Sequence, residues 1–244
     1  MPVHIHPTAP LAPRALLPGD PGRALALAQL VLSEPKMFNH NRGLWGYTGT
    51  AADGEPMTIQ STGMGGPSAA IVLEELCDLG LTHAIRVGTC GALDAGLALG
   101  DLVVADAALA CDGASRALGA DGRVTADPGL VAALRTAATG EPLDGARAHS
   151  GAIATSDLFY ERDLTRPRVW RDAGALAVEM EAATLLQVGR LRGIRVGCLL
   201  AVSDVFTAEG ERRRIDAEEL LRAAARLGRV GASALAATAS GASD

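Results

Sequence analysis

Apolar and polar positions along the chain fall into two rhythms. Short apolar runs of the kind buried in a sheet occur at Arg14–Leu17, His83–Val87, Leu102–Leu109, Ala148–Ala154 and Val196–Val202. Between them lie segments with helical spacing: Pro21 to about Leu32, Pro67–Leu79, Pro128–Ala138, Met180–Arg192 and a long amphipathic tail from Asp216 to about Ala237. Ile71, Leu76 and Leu79 share one apolar face, and Gly80 and Gly193 stand where helices should stop. Leu44–Thr50 and Met57–Thr62 flank the turn-like Ala-Asp-Gly-Glu of residues 52–55, which predicts a hairpin. Strands alternating with helices predict an α/β layer on a parallel or mixed sheet. No internal repeat and no Pro-, Gly- or Ser-rich linker divides the chain, so a single domain over residues 1–244 is expected.

Composition sharpens this picture. Aromatic residues make up only 3% of the 244, against 47 alanines and 29 glycines, so the core must be small aliphatic side chains under closely approaching helices. Hydrophobic residues at 48% against 20% charged exclude intrinsic disorder. A net charge of −6 and a pI near 5.4 argue against a nucleic-acid binder. Of 22 basic residues only Lys36 is a lysine, and it sits in no phosphate-loop or Schiff-base motif. Cys77, Cys90, Cys111 and Cys198 lie in apolar stretches without zinc spacing, as small buried hydrophobes do. No signal-like segment and no apolar run long enough for a membrane span is present, so a cytoplasmic location is expected, with no membrane partner.

In α/β sheets ligands bind where strands end and helices begin, and four such places carry chemistry. At 17–23, Gly19 ends a strand and Asp20-Pro21 opens a helix; free N–H groups there suit an anion, and Arg23 is within reach of it. A capped helix start with a solvated arginine is the plainer alternative. At 86–92, Arg86 lies inside an apolar strand, where an unpaired charge is costly, so it must have a partner. Thr89, glycine-flanked two residues past the expected strand end, adds a hydroxyl; a second anion contact and a buried Arg–carboxylate pair both remain open. At 62–68 a glycine string precedes Pro67, but it matches neither the P-loop nor the dinucleotide fingerprint. At 177–183, Glu179 and Glu181 would point about 200° apart on a helix among apolar neighbours, so at least one carboxylate faces a pocket or a buried pair. Asp204 ends the last apolar strand, as a cap or as an acid. Arginines at helix starts with inward carboxylates suit phosphate transfer onto a sugar better than redox chemistry.

These motifs (GDPGR at 19–23, NRGLWGYTG at 41–49, GMGGPS at 63–68, RVGTCGA at 86–92, SDLFY at 156–160, EMEAA at 179–183 and VSD at 202–204) resemble the hexameric nucleoside phosphorylases, in order and at compatible spacing from His4 to about Asp204. The resemblance implies a three-layer α/β/α fold with a central mixed β-sheet flanked by helices. It implies phosphorolysis of a nucleoside to free base and ribose 1-phosphate, with inorganic phosphate as co-substrate and neither cofactor nor metal. By the same resemblance Gly19, Arg23, Arg86 and Thr89 contact phosphate, together with Arg42 from a neighbouring subunit of a homohexamer built as a trimer of dimers. Met180 and Glu181 hold the ribose, His4 of the neighbour reaches its 5′-hydroxyl with His6 as a rival, and Phe159 and Val178 pack on the base. Asp204 protonates purine N7, the role that fits charge building up on the departing base.

The acid of Val-Ser-Asp and the short segment after Phe159-Tyr160, which contains no Gln, favour a purine substrate. Residues 65–68, 112–115 and 183–186 look more like the uridine branch, but they are scaffold rather than base contacts. The purine enzymes usually place an arginine on the helix after the acid; Arg212, Arg213 and Arg214 lie nearby and none fits that register. A hydrolytic nucleosidase would not need three arginines on one anion, a non-catalytic module would not need Glu181 with Asp204, and no strand leads into a dehydrogenase's glycine fingerprint.

Overall fold

A computed structural model describes residues 2–206 and 212–239. Its strands are β1 (Arg14–Leu17), β2 (Ser33–Asn39), β3 (Gly46–Thr50), β4 (Pro56–Gln60), β5 (His83–Ala92), β6 (Leu102–Ala110), β7 (Arg123–Thr125), β8 (Ala148–Thr155), β9 (Ala175–Glu179), β10 (Arg195–Phe206) and β11 (Arg212–Arg214). Its helices are α1 (Pro21–Val31), α2 (Gly66–Asp78), α3 (Gly113–Ala117), α4 (Pro128–Gly140), α5 (Arg166–Asp172), α6 (Ala182–Arg192) and α7 (Ala217–Ala239).

The strands form one mixed sheet. β1 is parallel to both β4 and β5, β10 is parallel to β5 and antiparallel to β6, and β6 is parallel to β8. β9 then joins β8 to the far end of β5, so β5, β10, β6, β8 and β9 close into a ring. The hairpin β3–β4 and the edge strand β2 extend the sheet beyond β1. Helices cover it from two sides: α1 and α4 pack against α7, while α2, α3 and α6 pack on one another. β6, β8 and β10 each touch both α4 and α6, which gives the helix–sheet–helix layering expected.

Local chemistry explains the helix starts. Asp20, Asp112 and Asp127 each accept a backbone N–H three residues on, and proline stands at the start of α1 and α4. Small residues explain the close layers. A Cβ at Gly228 or Gly231 of α7 would lie 2.6 Å from Leu27 Cδ2 or 2.9 Å from Leu16 Cδ2, so these glycines let the tail helix settle onto α1 and β1. Among the described residues no helix is long and apolar enough to cross a membrane. All four cysteines are free thiols.

Three expectations are corrected. The helix expected over Met180–Arg192 begins only at Ala182, because Ala175–Glu179 is a strand. β5 runs on to Ala92, so Thr89 lies within the strand rather than beyond it. The short elements β2, α3, β7, α5 and β11 are additional to the expected pattern.

Candidate active site

Arg86 sits in the middle of β5, with Leu17 of β1 opposite on one side and Cys198 of β10 on the other. It is 3% exposed, and two carboxylates meet it. Nε lies 2.8 Å from Glu179 Oε2, and Nη2 pairs with Glu181 Oε2. Burial alone would lower the guanidinium's pKa; Glu181 and Glu179 outweigh it and raise the value. Nη1 is buried and has no hydrogen-bond partner among the described residues. A Cβ at Gly88 would stand 2.8 Å from Nη2, so glycine there leaves room for the guanidinium.

The two carboxylates divide their work. Glu179, at the end of β9, accepts from the backbone N–H groups of Glu181 and Ala182 at 2.8 and 2.9 Å, and from Thr155 Oγ1 at 2.6 Å. It therefore caps α6 from the strand before it. Glu181 occupies the N-cap position of α6 yet makes no capping bond. Its side chain turns to Arg86 and accepts from Gly65 N–H at 2.5 Å, where Gly65 has φ of +87° at the start of α2. Burial, and then the like charge of Glu179, push the Glu181 carboxyl up against the pull of Arg86.

Arg23 lies in the first turn of α1, beyond Gly19. Burial lowers its pKa, Asp20 opposes that, and the nearby Arg86 lowers it further. Arg23 thus lies in the field of Arg86 beside a helix N-terminus, which supplies donors of the kind an anion takes. The loop after β4 is zipped to Gly19, with Thr62 N–H on Pro18 O at 2.9 Å and Gly63 N–H on Gly19 O at 3.0 Å. Thr89, half-buried, lies three residues past Arg86 with Ala201 of β10 opposite.

A second group forms at the far end of β5, about 16 Å from Arg86 along the strand. Gly91 pairs with Val178 of β9 and Asp204 of β10. Asp204 is 3% exposed; its Oδ1 accepts from Arg212 Nε at 2.9 Å and its Oδ2 lies 2.7 Å from Ser203 Oγ. Arg214 Nη1 is 3.6 Å from the same Oδ1. The Arg212 guanidinium lies 4.4 Å from the Phe159 ring centre, and Phe159 meets Tyr160 edge to face at 5.0 Å. Met180, half-buried, is the link between Glu179 and Glu181. Arg212 does not fit the helix register expected of an arginine after the acid, because residues 212–214 form a strand antiparallel to β10, and that register sets Asp204 opposite Arg214 and Phe206 opposite Arg212.

No hydrogen bond or ion pair joins His4 or Arg42 to Arg23, Arg86, Glu181 or Asp204 among the described residues. Arg42 is exposed, with φ of +57°, in the single turn Asn41–Gly43. Asn41 Nδ2 donates to His4 O at 2.8 Å, and the fully buried Asn39 Oδ1 accepts from His6 N–H at 2.9 Å, which ties the two segments together. His6 Nε2 is turned onto Val3 O at 3.1 Å. Among the described residues no group of three or more His, Cys, Asp or Glu side chains is arranged to hold a metal ion.

The fold agrees with what sequence comparison finds. The family model of the phosphorylase superfamily matches residues 13–236, and the chain belongs to that superfamily. It is 38% identical over 232 residues to a DeoD-type purine nucleoside phosphorylase of Geobacillus kaustophilus, covering 92% of this chain and 96% of that one. It is 36% identical over 207 residues to a guanosine phosphorylase of Halorubrum lacusprofundi, covering 85% and 84%. A DeoD-type purine nucleoside phosphorylase of Bacillus cereus is 34% identical over 232 residues, covering 92% and 97%.

Proposed function

We propose that the chain is a purine nucleoside phosphorylase, a pentosyltransferase that converts purine nucleoside and inorganic phosphate to free base and ribose 1-phosphate. The observation that carries the reading is the pairing along β5: a buried arginine with a free Nη1 beside a second arginine at one end, and at the other a buried carboxylate bonded to an arginine that lies over an aromatic ring. Full-length similarity to enzymes named for purine substrates supports it.

In this reading phosphate is held by Gly19, Arg23, Arg86 and Thr89, with Arg42 supplied by a neighbouring subunit. Met180 and Glu181 hold the ribose, Glu181 accepting from its 2′- and 3′-hydroxyls, and the neighbour's His4 meets the 5′-hydroxyl. Val178 and Phe159 flank the base. As the C1′–N9 bond breaks, a phosphate oxygen bonds to C1′, the bond pair stays with the base, and Asp204 passes its proton to N7. Arg212, already on Oδ1, then stabilises the carboxylate left behind; it takes the place of a helix-borne arginine. The bond from Asn41, next to Arg42, to His4 O holds the two segments together and supports both serving one neighbour's site, in a homohexamer assembled as a trimer of dimers. The setting is purine salvage in the cytoplasm.

The test is base release from inosine, guanosine, adenosine and uridine, each with and without phosphate, followed by chromatography. Phosphate-dependent release from the purine nucleosides is expected. Uridine as the sole substrate, or release that ignores phosphate, would overturn the reading.

A further inference from the structure

Glu75, on the second half of α2, lies outside the residues so far given a role. Yet four N–H groups of the chain's beginning converge on it. Oε1 accepts from Val3 N–H at 3.0 Å and lies 2.7 Å from His4 Nδ1, while Oε2 accepts from the N–H groups of His4 and Ile5 at 2.9 and 2.7 Å. The carboxylate is only 12% exposed. Burial alone would push its pKa up; the bonds from His4, Ile5 and Val3 prevail and hold it at about 2. A group that stays ionised offers acceptors only.

That fixes the ring of His4. With a carboxylate on Nδ1, the proton of the neutral imidazole sits on Nδ1 and the lone pair is on Nε2. Nε2 makes no hydrogen bond among the described residues, and the His4 side chain is 29% exposed. His6 is spent differently, with its Nε2 on Val3 O.

The geometry points to Glu75 as a positioning residue that sets the tautomer and orientation of His4, so that Nε2 accepts a hydroxyl proton from the substrate's 5′ position. This rests on the reading above, in which His4 serves a neighbouring subunit's ribose. Glu75 thereby governs discrimination between nucleosides with and without a 5′-hydroxyl. Its substitution is felt in another subunit's site.

The test compares kcat/KM for inosine and 5′-deoxyinosine in the wild type, Glu75→Gln, Glu75→Ala, His4→Ala and the double variant His4→Ala/Glu75→Ala. Glu75→Ala is expected to lower the inosine to 5′-deoxyinosine ratio about tenfold, the loss of roughly one well-made hydrogen bond, with Glu75→Gln in between. Once His4 is alanine, removing Glu75 should leave the ratio unchanged. A wild-type ratio in both Glu75 variants would overturn the inference, as would an equal fall on both substrates, which marks a purely structural anchor. A His4→Ala enzyme with the wild-type ratio would instead remove His4 from the ribose site, and the inference with it.

Discussion

Asp204 and Arg212 show how far single residues were legible. The strand-end position of Asp204 leaves a cap and an acid both open, and only the family resemblance makes it an acid; it lies buried near the end of β10, bonded to Arg212. Arg212 is harder to single out among Arg212, Arg213 and Arg214, because that segment carries no apolar alternation to announce a strand. Arg86 was legible for a sounder reason: a charge in an apolar strand requires a partner, and it has two. Replacing Asp204 by Ala should lower kcat on purine nucleosides by about 10²- to 10⁴-fold, the worth of a general acid, with the KM for phosphate unchanged. Arg212→Ala should also lower kcat, and by less. Steady-state kinetics with phosphate varied would check both, and a rise in phosphate KM would move Arg212 out of the base end. Glu75 carries a stability prediction of definite sign. Its folded carboxyl titrates at about 2 against an ordinary 4.5, so its contribution is complete above about pH 4.5 and is lost as the pH falls towards about 2. The thermal unfolding midpoint of the wild type should therefore fall more steeply across that window than that of Glu75→Gln.

At the scale of elements, the strand-to-helix passage from β9 to α6 departs from the helix expected over Met180–Arg192. Val178 to Ala183 is apolar apart from its two glutamates, so helical spacing extends backwards without a visible break. What ends the strand is Glu179, which spends its carboxylate on the free N–H groups of α6 and so frees Glu181 to face Arg86. The same helix end is braced by Asp112, fully buried, which accepts from Thr184 Oγ1 at 2.7 Å and from Ser115 N–H at the same distance. Gly66 lies in this brace; a Cβ there would stand 2.6 Å from Thr184 Oγ1 and 2.8 Å from Ala114 Cβ. Gly66→Ala should destabilise the fold by about 1–3 kcal/mol, as overpacking does, and lower the melting temperature. Since Gly65 N–H bonds Glu181, the KM for nucleoside should rise in the same variant. β2 escaped notice for another reason: Ser33–Asn39 is an edge strand, exposed except at Phe38 and Asn39, and a guarded edge is polar by necessity.

For the whole molecule, the central parallel strands and the long helices were legible because each buries a regular apolar face, while the closure of β9 onto β5 depends on pairings far apart in sequence. The proposed site also divides in two. Arg23, Arg86 and Glu181 are gathered by the fold of one chain, whereas Asn41, the neighbour of Arg42, is tied to the backbone of His4, and no bond among the described residues joins His4 or Arg42 to those three. In the proposed assembly a reciprocal interface would resolve this, since two copies related by a two-fold axis would each lend the other the same segment. The arrangement predicts complementation. Arg42→Ala and Asp204→Ala subunits should each be nearly inactive alone. Co-refolded at equal amounts, half of the two-fold pairs are mixed, and each mixed pair holds one site with both residues intact. Activity should then recover to about a quarter of the wild-type value per subunit, from simple mixing over a two-fold interface. Recovery no greater than the sum of the two separate variants would place Arg42 in its own chain's site or outside the chemistry altogether.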